Sequence, residues 1–266
     1  VLWTLPGFAL LHPDYGSIRL DMPELKLITP DWPAPEKVRA VSTTRWGGVS
    51  TGAYAALNLG KHVGDSLENV LENRRRLVAK LPMEPLWLEQ VHGTTVVNAA
   101  CTCPDAQADA SVARMSYQIC SVMTADCLPV LLCDIAGTAV AAAHAGWRGL
   151  AGGVLENSAR AMQVPATSIM AWLGPAISQA RFEVGDEVRT AFLAHTPEAA
   201  EAFLPGKAQG KWQADLYLLA RQRLALMGVT QVYGGDRCTY DEADAFFSAR
   251  RDGTQSGRQA SLVWLE

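Results

Sequence analysis

Unbroken apolar runs constrain what this chain can fold into more than any other feature. They fall at Ile119–Met123, Pro129–Cys133, Thr138–Ala143, Ile169–Leu173, Val229–Tyr233 and Ser261–Leu265. A strand with one wet face alternates apolar and polar residues, whereas a continuous run reads as a strand covered on both sides. Helices are available to supply that cover. One is expected in DSLENVLENRRRLVAKLP, where Asp65 and Glu68 form a capping-box-like pair and Leu67, Val70, Leu71, Leu77 and Val78 a broken stripe ended by Pro82. Others fit Leu150–Met162, Asp186–Leu193 and Ala214–Met227, the last followed by Gly228 as a C-cap. Strands and helices mix without a strict βαβ alternation. The expected class is therefore α+β, with mixed β-sheets in the core and helices outside.

The 266 residues sit at the upper edge of one domain, and 49% apolar against 19% charged residues describes a globular chain with a large core. Residues 22–266 read as a single catalytic domain, because MPELKLITPDWPAP from Met22 looks like a natural beginning. Residues 1–21 then read as an N-terminal extension, vector-derived or from an upstream start. Its apolar start is interrupted by Pro6, followed by Asp14 and preceded by no Lys or Arg, so neither a membrane span nor a signal peptide is expected. Net charge is −4, which leaves no electrostatic footprint for nucleic acid or an anionic membrane. Any phosphate must be bound locally. The six cysteines are too sparse for a disulfide scaffold and are expected to be reduced thiols in a cytoplasmic protein.

Three segments carry chemistry: LEQVHG (Leu88–Gly93), TADCLPVLLCD (Thr124–Asp134) and AAAHAGWRGLAGG (Ala141–Gly153). Each sets one good ligand, His92, Cys127 or His144, beside a short turn, and two of them directly follow apolar runs. Strand ends are where side chains converge. Two imidazoles and a thiolate suit zinc, and three protein ligands leave a fourth position open. The spacing is not that of a zinc finger, and from the residues alone a buried cysteine and a packed histidine are the commoner reading. His12, His62 and His195 read as ordinary surface or loop residues.

Gly146 and Gly149 allow a tight turn before a helix, whose free N–H groups, with Arg148, suit an anion. An ordinary glycine-rich turn with an exposed arginine is the commoner alternative. Arg45 in STTRWGGVS, Asn58 in ALNLG, and Ser248, Arg250, Arg251 and Arg258 in FFSARRDGTQSGR are loop residues by composition. A phosphate-binding role would explain why so many arginines are concentrated in an acidic protein.

TTRWGGVS, LNLG, EQVHG, TADCLPVLL, AAAHAGWRGL, WLGPAIS, FEVG, GGDRCT and FFSARRDG stand in the order seen in the YfiH, or laccase-domain, family, which the chain resembles from about Met22 onward. The resemblance implies mixed β-sheets sandwiched between helical layers, similar to the catalytic domain of cytotoxic necrotizing factor. It implies zinc on His92, Cys127 and His144, and phosphorolysis of adenosine, inosine and methylthioadenosine, with adenosine deamination as a companion activity. Purine nucleosides and inorganic phosphate would be its partners. Arg45 and Arg148 would position phosphate, with Arg45 counted among the catalytic residues, and Asn58, Asp126 and Glu183 would line the substrate. The H-x-E and P-C-x-x-C signatures of zinc deaminases are missing, so Asp126 or Glu183 could serve as acid/base, with Asp126 as a simple turn cap the equal alternative. Phe182 replaces the family's commoner tyrosine. Two other chemistries use the same residues. Cys127 and His144 would make a cysteine hydrolase or deamidase. Copper on the His₂Cys set would give polyphenol oxidation, although five histidines cannot furnish a multicopper cluster. A purine sensor without turnover is the non-enzymatic alternative.

Overall fold

Each apolar run becomes a strand whose successive residues enter two different cores. In Leu128–Asp134, residues Leu128, Val130 and Leu132 meet a helical layer, while Leu131 and Cys133 meet a second sheet. That double cover is why the run shows no polar alternation. The computed structural model describes residues 24–266, and the extension expected at residues 1–21 lies outside the described residues.

The larger sheet has six strands in the order Gln231–Gly234, Ile169–Leu173, Leu128–Asp134, Val140–Ala145, Ala110–Ala113, Val96–Asn98. Its outermost pairs are parallel and its inner pairs antiparallel, so the sheet is mixed. The second sheet is antiparallel, in the order Leu27–Ile28, Val38–Thr43, Gln259–Leu265, Cys120–Thr124. Helices Val154–Ala161, Asp186–Leu193 and Leu216–Leu226 cover the first sheet through Leu155, Phe192, Leu219 and Leu224. Helix Leu67–Val78 covers the far side of the second through Leu77, which packs in a cluster with Leu57, Trp87, Leu262 and Trp264. The layers are helix, sheet, sheet, helix. At about 1.5–3 kcal/mol for each large side chain taken from water, these three interfaces supply the main stabilisation.

Several local expectations are corrected. The helix expected over Leu150–Met162 is two helices, Trp147–Gly152 and Val154–Ala161, because Gly153 at φ +102° ends the first in a left-handed turn. Asp65 does not cap its helix. Ser66 holds the N-cap position without a side-chain bond, and Asp65 instead accepts from Ser50, Asn58 and the Ser66 N–H. Ala214 ends a strand, Lys211–Ala214, and the following helix starts at Leu216 under a cap from Asp215, whose carboxylate accepts the Leu218 N–H at 2.9 Å. Val38–Thr43 lacked a continuous apolar signal because Arg39 alternates with buried Val38 and Ala40.

Candidate metal centre

Cys127 immediately precedes the strand Leu128–Asp134, and His144 is the penultimate residue of its antiparallel neighbour. The register pairs Leu128 with Ala145 and Pro129 with His144, so the thiol and the imidazole meet at one end of the sheet. His92 arrives on the turn that follows Leu88–Glu89, at φ +59°. The ligand atoms of the three residues lie within 4.8 Å of one another, with Cys127 Sγ 3.8 Å from His92 Nε2. The two rings stand edge to face, 4.8 Å between centroids. His144 is buried, Cys127 half-buried and His92 exposed, so the group forms a cup open on one side.

Gly146 makes the cup. A Cβ on it would stand 2.9 Å from His92 Cδ2 and 3.0 Å from Cys127 Sγ, filling space that the ligands share. His92 and Asp126, at φ +93°, adopt left-handed conformations unusual for side-chain-bearing residues. Such backbone costs about 1–3 kcal/mol per residue and concentrates at functional sites.

The electrostatics are tightly coupled. Burial alone would raise the Cys127 thiol, but the neighbouring His144 and His92 outweigh it and bring it down to about 6. Burial would lower His144, yet Cys127 and Asp109 raise it to about 9. Each partner thus favours the charged form of the other, thiolate beside imidazolium. Behind them lies Asp109, fully buried, which accepts His144 Nδ1 at 2.8 Å and the His92 N–H at 2.9 Å on one oxygen. Its other oxygen accepts Gly93 at 2.6 Å and Val91 at 3.2 Å. Burial pushes this carboxyl up, and His144 with the backbone donors more than reverses it, leaving it below the usual carboxylate range. Sequence reasoning missed Asp109. Its signal was an acid in a stretch of small residues, ADASVA, just before the strand Ala110–Ala113, where a buried charge needs a partner.

The other expected residues divide by what they already hold. Asn58 is fully buried and bonds Gly60, Asp65 and the Arg258 N–H. Asp126 has both oxygens engaged at 2.6 Å, by the Thr239 hydroxyl and the Arg250 N–H. Arg45 donates to the carbonyls of Ala55 and Ala243 and stacks on Phe247. It lines a shallow hollow of about 260 Å³ with Trp46, Ala55, Ala56, Ala243 and Asp244, which includes none of the three ligands. Arg250 and Arg251 likewise donate to backbone carbonyls, of Glu183 and of Thr239, Tyr240 and Phe246. Glu183 lies in a separate three-stranded sheet, within 3.4 Å of the Lys207 N–H. Phe182 lies under the Arg250 guanidinium. Arg148 differs from these: it is exposed, stacks on Trp147, and sits two residues after Gly146. Its helix is only six residues long, so the anion-binding power expected of a helix start falls mainly on its guanidinium. His62 is an exposed turn residue, as expected. Desolvation lowers its pKa first, and the charges of Arg258, Arg74, His144 and His92 lower it further.

An open His–Cys–His cup at the sheet ends of a layered α+β fold is an arrangement that could hold a metal ion. The family described as multi-copper polyphenol oxidoreductase laccase matches residues 39–266. The chain belongs to this family, the YfiH family of the sequence resemblance. A Pseudomonas aeruginosa protein named as a purine nucleoside phosphorylase is 54% identical over 241 residues, covering 90% of this chain and 98% of that one. Escherichia coli YfiH, named for the same activity, is 55% identical over 244 residues, covering 90% and 99%. The crystal structure of a DUF152 protein from Neisseria meningitidis superposes with a TM-score of 0.85 at 57% identity, covering 90% and 99%. Among the described residues, no helix is long and apolar enough to cross a membrane.

Proposed function

We propose that this chain is a zinc-dependent purine nucleoside phosphorylase, acting on adenosine, inosine and methylthioadenosine with inorganic phosphate, and that it also deaminates adenosine. The open His92–Cys127–His144 cup carries the reading, in a chain more than half identical to relatives named for phosphorolysis. The donor set is one zinc favours, with a fourth position free. Charge supports a divalent ion: the Asp109 carboxylate and Cys127 thiolate are two anions, and both imidazoles ligate as neutral rings. Bound there, zinc would supply a Lewis acid that polarises the purine, its leaving nitrogen or a water molecule. Among the described residues this is the one cluster of three such ligands, which disfavours a multicopper oxidase. Six unpaired cysteines support a cytoplasmic location.

The chain's own residues bind and orient. Arg148, exposed two residues after Gly146 and with no carbonyl partner among the described residues, offers its fork to phosphate. Holding phosphate against the ribose C1′ while the base departs can supply several kcal/mol through orientation. Arg45, in this reading, keeps the Ala55 and Ala243 loops together, and Asn58 and Asp126 fix the loops that carry Arg258 and Arg250.

Incubating zinc-loaded protein with inosine, with and without phosphate, tests this. Hypoxanthine and ribose 1-phosphate should form only with phosphate present, and free ribose released without phosphate would mean a hydrolase instead. Arg148→Ala should raise KM for phosphate far more than KM for nucleoside, with partial rescue by Lys, which keeps charge but not the fork. Adenosine deamination, which consumes no phosphate, should survive that change better.

A second reading draws on one observation. Cys127, His144 and Asp109 have the order of nucleophile, base and orienting acid found in cysteine hydrolases. It competes with zinc for the same thiolate. Protein that purifies without metal and loses activity on Cys127 alkylation would favour it.

A further inference from the structure

We infer that Asp109 is the positioning residue of the metal centre, a single buried carboxylate that sets the His144 ring and the His92 turn in register with each other. The inference rests on the reading of the cup as a metal site. Four donors converge on Asp109, and they come from two ligand-bearing segments that are distant in sequence. Three are backbone N–H groups of Val91, His92 and Gly93, which hold the left-handed turn at His92. A carboxylate kept for that turn alone would need nothing more.

The fourth donor is the one that concerns the metal. Both Asp109 oxygens already accept backbone N–H groups, which fits them as acceptors and assigns the proton shared at 2.8 Å to His144 Nδ1. The ring's Nε2 then carries the lone pair for a metal. The Asp109 carbonyl also accepts the His144 N–H, at 2.7 Å, and the adjoining register pairs Ala110 with Ala143. Ring and backbone of His144 are thus keyed to one residue, and the same residue places His92. Asparagine there keeps the volume but turns an NH₂ either toward Gly93 and Val91 or toward His144 Nδ1. In both orientations a donor faces a donor, and one ligand segment shifts.

The test compares zinc-loaded wild type with Asp109→Asn, each equilibrated with a chromophoric chelator, alongside melting curves of the metal-free forms. Zinc affinity should fall about 10- to 100-fold, the usual effect of removing a partner behind a metal-bound histidine, while the metal-free variant still melts cooperatively. Histidine ring ¹H–¹⁵N spectra of zinc-loaded wild type should show His144 protonated at Nδ1. A variant that binds zinc as tightly as wild type overturns the inference and leaves the metal reading intact. Wild type that takes up no zinc overturns both. If Asp109→Asn does not fold, the wild-type ring spectrum decides, and a His144 ring protonated at Nε2 overturns the inference.

Discussion

Gly146 shows how much of the centre depends on one missing side chain. Its backbone, at φ −60°, is open to any residue, so Gly146→Ala should fold; the added methyl would meet His92 and Cys127 inside the cup. The expected result is a loss of zinc affinity of about tenfold or more, comparable to disturbing a supporting residue, with the melting of the metal-free form little changed. Competition with a chelator measures it. Cys127 makes a second prediction at this scale. In metal-stripped protein its thiolate, pulled down to about 6, should react with iodoacetamide nearly equally at pH 7 and pH 8, and more slowly as pH falls through about 6. Zinc should block the reaction, and Cys120 and Cys133, pushed up to about 12 by burial, should stay inert. A Cys127 rate that climbs steeply above pH 8 would mean that the thiol is not paired with imidazolium. The cluster of His92, Cys127 and His144 was legible because each sat in a distinctive motif, two of them after an apolar run. Asp109 and the duties of the arginines were not, since composition cannot tell a guanidinium aimed at phosphate from one aimed at a carbonyl.

Helix Leu67–Val78 illustrates the same limit for a whole element. Its existence followed from the apolar stripe and its end near Pro82, but the stripe is not its most demanding contact. Asn73, fully buried, accepts the Val49 N–H and donates to Ser50, Ala56 and Asn58, while Arg74 donates twice to the Leu59 carbonyl and stacks on Trp87. These two polar residues tie the helix to the loops that carry Arg45 and Asn58. Asn73→Ala should therefore cost about 2–3 kcal/mol, the penalty of stranding buried backbone groups. Leu71→Ala, at a half-exposed position, should stay within about 0.5 kcal/mol. Urea unfolding midpoints compare the two, and a larger loss at Leu71 would mean that the apolar stripe dominates after all. A sequence pattern reports apolar periodicity, so a polar hub on a buried helix face reads as a solvated one.

At the scale of the molecule, the unbroken runs predicted strands with two covered faces, and the two stacked sheets between helical layers are what such strands require. What the runs could not give was the pairing order. The meeting of Cys127 with His144 depends on an antiparallel register, and the approach of His92 depends on a left-handed turn held by Asp109, distant in sequence. Every motif used in this account lies beyond Met22, so a chain beginning there should retain zinc binding and turnover, and loss of either in the shortened protein would assign the extension a part in the site. In the proposed function one divalent metal, held by His92, Cys127 and His144, makes this protein a phosphorylase. Titrating zinc into chelator-stripped protein, with inosine and phosphate present, tests it most directly. Ribose 1-phosphate formation should rise in proportion to added zinc and level off at about one equivalent per chain, as expected of a single three-ligand site, and His144→Ala should abolish the rise. Full turnover by the stripped protein, or zinc uptake with no phosphate-dependent product, would contradict the account.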